Sequence, residues 1–170
     1  MKPCDIIFVH HRETHLLSKA IEFLTDGDFS HVALAVGENK IMDITPKGIE
    51  YTDMNKYLGS CHTVKIGRFP LTNEQIFTIR EMAWFYIGRG YDWKQMWWNA
   101  IWTIAKKMRL LKLSRKLYTK NKAYEGFTCA EFIARCYLSA GILLTDSFSN
   151  CSPQEIYNSP LLKKMDYKEA

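Results

Sequence analysis

The stretch Phe127-Thr128-Cys129-Ala130-Glu131-Phe132-Ile133-Ala134-Arg135-Cys136-Tyr137 constrains the fold more than any other part of the chain. Thr128 followed three residues later by Glu131 is a capping-box pattern, which predicts that a helix starts there. Phe132, Ile133, Cys136, Tyr137 and Ala140 then recur at helical spacing, so one side of this helix is core, and Gly141 is its stop signal. Cys129 falls at the first helical position, where unpaired backbone N–H groups and the helix dipole favour negative charge and hence a thiolate. Cys136, in mid-helix, has no such help. Two readings of Cys129 stay open: a nucleophile served by a histidine from elsewhere in the chain, or a small apolar residue closing the first turn.

The amino-terminal half supplies candidate partners from strands. Cys4-Asp5-Ile6-Ile7-Phe8-Val9 reads as a buried strand, and Ser30–Val36 is the clearest strand of all. Gly37-Glu38-Asn39 turns that strand back into Lys40–Thr45 as a β-hairpin. Pro46-Lys47-Gly48 leads into Ile49–Thr52, and a further strand covers His62–Ile66. Within the hairpin His31, Ala33 and Ala35 share a face, as do Ile41, Asp43 and Thr45. With a three-residue loop, Ala33 faces Asp43 and His31 lies diagonal to it, within reach of a carboxylate that orients an imidazole. A two-residue loop would turn Asp43 to the opposite face. Taken alone, His31 reads first as a strand-end histidine and Asp43 as a polar rim residue, with catalysis the alternative. The small Ala33 and Ala35 leave room beside His31 for a substrate or a packed element.

Helical character follows Pro70. Thr72-Asn73-Glu74-Gln75 opens a helix to about Ile87, with Ile76, Ile79, Arg80, Ala83 and Trp84 spaced for a buried side. An earlier amphipathic helix covers Leu16–Leu24, preceded by His11 and His15 at a spacing that suits either a metal or a solvated helix start. No third ligand is nearby, so no metal is expected. Ser152-Pro153-Gln154-Glu155 opens a short helix with proline just after its cap, and the last residues read as a frayed polar tail.

Charge marks off one more segment. Nine of the 23 Lys and Arg residues, and none of the 18 acids, lie between Trp93 and Tyr124, so the rest of the chain is net acidic. There Trp97, Ile101, Ile104, Met108 and Leu111 make an apolar stripe beside Trp98, Lys106, Lys107, Arg109 and Lys112. Such a pattern fits an interfacial helix on an anionic membrane, or a core helix with a solvated basic face. No nucleic-acid motif accompanies the charge, so no nucleic-acid partner is expected. No apolar run reaches the length of a spanning helix, roughly 18 residues, and no signal-peptide pattern is present. Five cysteines, an odd number without paired metal spacing, suit a reducing compartment. A cytoplasmic protein, in peripheral membrane contact if the basic helix is interfacial, is the expectation.

Asp5-Ile6-Ile7-Phe8, Ser30-His31-Val32-Ala33-Leu34, Met42-Asp43-Ile44-Thr45-Pro46-Lys47-Gly48, Gly88-Arg89-Gly90-Tyr91-Asp92, Thr128-Cys129-Ala130-Glu131-Phe132-Ile133 and Ser152-Pro153-Gln154-Glu155-Ile156 occur in that order. Together they resemble the YiiX/YebB-like family, circularly permuted relatives of the NlpC papain-like cysteine hydrolases, in which histidine precedes cysteine. The resemblance covers the chain except about residues 93–122, which look like an insertion in a single domain spanning 1–170. It implies an α+β permuted papain-like fold, an antiparallel sheet or barrel packed against the helix that carries the cysteine. It further implies Cys129 as nucleophile, His31 as base and Asp43 as third residue, a position where relatives more often carry glutamate. Tyr91 and Thr128 would line the oxyanion or substrate side, and no metal or organic cofactor is needed. The implied activity is cleavage of an amide, in a peptidoglycan-type peptide or a small aminoacyl conjugate. The related lecithin–retinol acyltransferase branch makes lipid acyl chemistry at a membrane the competing activity, and an inactive binding module is the third reading.

Overall fold

The computed structural model describes residues 1–11, 27–45, 47–59, 62–92, 126–146, 148 and 151–169. A six-stranded antiparallel sheet is built from β1 (Ile6–His11), β2 (His31–Gly37), β3 (Lys40–Thr45), β4 (Gly48–Asp53), β5 (His62–Arg68) and β6 (Lys163–Asp166). Its order is β4-β3-β2-β1-β5-β6. Ile6 and Phe8 of β1 face one hydrophobic cluster, Ile7 and Val9 another, which is why β1 reads as an unbroken apolar run.

Among the described residues the helices are α1 (Asn73–Phe85), α2 (Cys129–Ser139) and the short α3 (Pro153–Tyr157). α2 lies against β2 and α1, and Phe132, Ile133, Cys136 and Tyr137 are buried along it. The Tyr137 hydroxyl donates to the Cys4 carbonyl at 2.5 Å, tying the helix to the start of β1. On α1 only Ile79 and Ala83 are fully buried. Trp84 and Arg80, expected on the buried side with Ile76, are both exposed, and Trp84, 41% exposed, stacks its ring on Tyr51 at 5.4 Å. The helix also stops at Phe85, two residues short of Ile87.

Two local expectations need correction. The carboxy-terminal residues are not all frayed: β6 adds to β5 as the edge strand of the sheet, Ile66 against Met165, and Lys65 meets Asp166 at 2.5 Å. Edge pairing is a main-chain interaction, so a polar sequence does not preclude it. The Thr128 cap is half of a capping box. Thr128 Oγ1 accepts from the Glu131 N–H at 3.2 Å, but the Glu131 carboxylate turns one helical turn on, to Arg135 at 2.9 Å. The stop at Gly141 holds: with φ at 75°, its N–H donates to Leu138 O, and the Ile142 N–H to Tyr137 O.

The segment 16–24, the His11/His15 side-chain pair, and residues 93–122 with Trp97, Trp98, Lys106, Lys107 and Arg109 lie outside the described residues or side chains. Among the described residues no helix is long and apolar enough to cross a membrane.

Candidate active site

The hairpin decides where Asp43 points. Gly37 pairs with Lys40, leaving a two-residue turn of Glu38 and Asn39, with Asn39 at a φ of 54°. That turn alone would have put Asp43 on the wrong face. A register shift between Ala35 and Gly37 inserts one extra residue, so that Ala35 pairs with Ile41 and Leu34 with Met42. The offset beyond the bulge is that of a three-residue loop, and Asp43 comes level with Ala33 and diagonal to His31. His31 Nε2 donates to Asp43 Oδ1 at 2.6 Å.

Cys129 is brought to the same end of the sheet through a chain of backbone contacts. β2 starts there, β3 ends there, and β4 begins there at Gly48, paired with Thr45. The Ile49 N–H donates to Arg89 O at 2.9 Å and the Gly88 N–H to Ile49 O at 2.8 Å, fixing the 88–92 loop on β4. Gly48 has φ at 114°, and a Cβ on it would lie 2.5 Å from Arg89 O, so only glycine permits this approach. The loop in turn holds the start of α2: Phe127 N–H donates to Gly90 O at 3.2 Å, and Asp92 N–H to Phe127 O at 3.1 Å. A Cβ on Gly126 would meet Asp92 N and Gly90 O at 2.9 Å. Cys129 follows two residues after this clamp. Its thiol lies close enough to the His31 ring to favour the charged imidazole. Because Nε2 is engaged by Asp43, the ring nitrogen left for the thiol is Nδ1.

Asp43 has no exposed surface, whereas His31 keeps 16% of its side chain exposed. Burial alone would strip the charge from both, and their mutual attraction opposes it. The Asp43 carboxylate, by charge and hydrogen bond, and Cys129 beside it outweigh the burial of His31 and push its pKa up to about 10. Burial of Asp43 is likewise overcome, by His31 and then Lys56, and its pKa falls well below the usual carboxylate range.

Two members of this cluster were not foreseen from sequence. A 3-10 turn, Met54–Tyr57, capped by Asp53, folds back over β3. The Tyr57 hydroxyl donates to Asp43 Oδ2 at 2.7 Å, its ring sits 5.8 Å from that of His31, and the Lys56 ammonium also contacts Oδ2. Met54 and Tyr57 fill the space that Ala33 and Ala35 leave, so those small residues accommodate a packed turn. The side-chain pattern of residues 54–57 is too short to announce this. The cap Asp53-x-Asn55 marks a turn, but nothing local says which strand it covers.

Tyr91 is half-buried beside the cysteine. Burial first, then the proximity of Cys129 and Asp92, raises its phenol pKa. The Thr128 hydroxyl is occupied as helix cap.

A cysteine at a helix start meeting a histidine and a carboxylate from an antiparallel sheet, in the order His, Asp, Cys along the chain, defines a permuted papain-like cysteine hydrolase. The chain matches the permuted papain-like amidase family YaeF/YiiX, C92, over residues 1–100, the part that holds His31, Asp43 and Tyr91. It belongs to that family and is an enzyme of the cysteine amidase class. The fold is similar to that of the metalloprotein yiiX from Escherichia coli O157:H7, with 19% identity, 96% of each chain covered and a TM-score of 0.67. No curated protein matches the chain. Among the described residues no group of three or more His, Cys, Asp or Glu converges as a metal site would, and Asp43 is already committed to three donors.

Proposed function

We propose that the protein hydrolyses an amide bond, in a peptidoglycan-type peptide or a small aminoacyl conjugate, through Cys129, His31 and Asp43. The observation that carries this reading is the His31 ring bonded to the buried Asp43 at 2.6 Å with Cys129, first residue of α2, beside it. His31 takes the thiol proton, giving a thiolate–imidazolium pair, and Asp43 fixes the tautomer with Nε2–H directed at Oδ1. The thiolate attacks the carbonyl carbon. The resulting oxyanion is received by the Cys129 backbone N–H at the helix start, with the Tyr91 hydroxyl beside it. His31 gives its proton to the leaving amine as the C–N bond breaks. Water, deprotonated by His31, then cleaves the thioester and restores the thiol.

The test is the pH dependence of Cys129 alkylation by iodoacetamide, read on the Cys129 peptide by mass spectrometry. At pH 6 wild type is expected to react at least about tenfold faster than His31→Ala, since an unassisted thiol has a pKa of about 8.5. Among the described cysteines the background is low: burial pushes the Cys4 thiol up to about 12 and raises those of Cys136 and Cys151. Equal rates would mean no activated pair and would favour a binding module on this fold.

A second reading, acyl hydrolysis or transfer on lipid at a membrane surface, is favoured by the basic, tryptophan-rich segment and by Phe77 and Phe85, each 66% exposed on α1. Liposome flotation is expected to require anionic lipid and to weaken on replacing Lys106, Lys107 and Arg109 with glutamine. Flotation indifferent to both changes excludes this reading.

A further inference from the structure

Asp43 serves two cations with one negative charge. His31 Nε2 takes Oδ1, while Oδ2 receives the Tyr57 hydroxyl and the Lys56 ammonium. The carboxylate is wholly buried, but Lys56 keeps 31% of its side chain exposed. Its ammonium lies 5.1 Å over the Tyr57 ring and 3.9 Å from the Glu50 carboxylate. A cation on one carboxylate oxygen offsets the field felt by a second cation on the other, and repels it directly.

We propose that Lys56 is a positioning residue that lowers the basicity of His31 by competing with it for Asp43. The proposal rests on the triad reading above and adds the control of its proton. The groups facing His31 are Asp43 from β3, Cys129 from α2, and Lys56 and Tyr57 from the 3-10 turn, with His62 of β5 behind Tyr57 at 5.7 Å. Glu50 of β4 faces Lys56. In this set Lys56 is the second cation on Asp43.

Its chemical use follows from what His31 must do. The imidazolium forms when the thiol loses its proton, and must then surrender that proton to the leaving amine. A buried carboxylate acting alone would hold the proton too tightly for a general acid working near neutrality. Lys56 takes up part of the Asp43 charge and so loosens the hold of His31 on its proton. Tyr57, uncharged, holds the carboxylate in place without this effect.

The experiment is an NMR titration of the His31 ring in the full chain, in a Cys129→Ala background that removes coupling to the thiol. The His31 signal is assigned by its loss in a His31→Gln variant. Adding Lys56→Met keeps an unbranched apolar stem over the Tyr57 ring and removes the charge. The His31 midpoint is then expected to rise by about one pH unit, and Lys56→Arg is expected to return most of that shift. A midpoint unmoved by Lys56→Met, while Asp43→Asn still lowers it, overturns the proposal and leaves the triad standing. A midpoint indifferent to Asp43→Asn overturns the triad reading itself, and the proposal with it. Loss of the amide dispersion of the folded chain in Lys56→Met would show that Lys56 is structural, which also overturns it.

Discussion

Replacing Asp43 with alanine is expected to slow acyl transfer by about 10³-fold and to destabilise the fold by about 3–5 kcal/mol. Both effects come from one buried carboxylate. With it gone, the His31 imidazolium, the Lys56 ammonium and the Tyr57 hydroxyl lose a shared acceptor, and the first of these is mostly enclosed. Asp43→Asn separates the two effects. The amide keeps the shape and one acceptor oxygen, so less stability is lost, but it can no longer stabilise a charged ring. The burst of p-nitrophenol from p-nitrophenyl acetate and urea denaturation measure the two quantities.

The pH dependence of that stability has a definite sign. The Asp43 pKa is lowered on folding, so its contribution is present above the unfolded carboxylate value, about 4, and lost on acidification. The His31 pKa is raised to about 10, so its contribution is complete below the unfolded value, about 6.5, and fades as the pH climbs toward 10. The difference in unfolding free energy between wild type and Asp43→Asn is therefore expected to be largest between about pH 4 and 6.5. A difference that stays flat from pH 4 to 10 would show that His31 is not held as a cation.

Much of this arrangement was legible in the chain because its signals are local. Thr128 and Gly141 bracket α2 in sequence as they do in space, and Cys129 occupies the first helical residue. Alternation put His31 and Asp43 on faces that could meet, but their meeting depended on loop length, and the loop has two residues with a bulge behind it. A bulge has no strong sequence signature, so the residues of the hairpin alone leave its register open. Lys56 and Tyr57 reach Asp43 through a tertiary fold-back of one turn onto β3, which no periodicity encodes. The Glu131 side chain illustrates a competition that patterns miss: a charge-assisted bond to Arg135 outbids the neutral N–H of the cap.

Phe132→Ala tests how the site depends on the core. Phe132 is fully enclosed, among the residues that join α2 to the sheet, with the Tyr86 ring edge-on at 6.4 Å. Removing the ring leaves a cavity that the surrounding strands and helix cannot collapse upon, and the expected loss is about 3–5 kcal/mol in urea denaturation. Phe132→Leu, which retains most of the volume, is expected to lose less than about half of that. Below the unfolding midpoint, however, the His31 dependence of Cys129 alkylation is expected to persist in both variants. The start of α2 is located by main-chain bonds from Phe127 to Gly90 and Asp92, and by the Thr128 cap, none of which involves the Phe132 ring. Packing energy thus holds the helix on the sheet, while backbone hydrogen bonds set where its first residue lies. Loss of His31-dependent reactivity in folded Phe132→Ala would show instead that the core positions the thiol, and that the clamp at Gly126 is secondary.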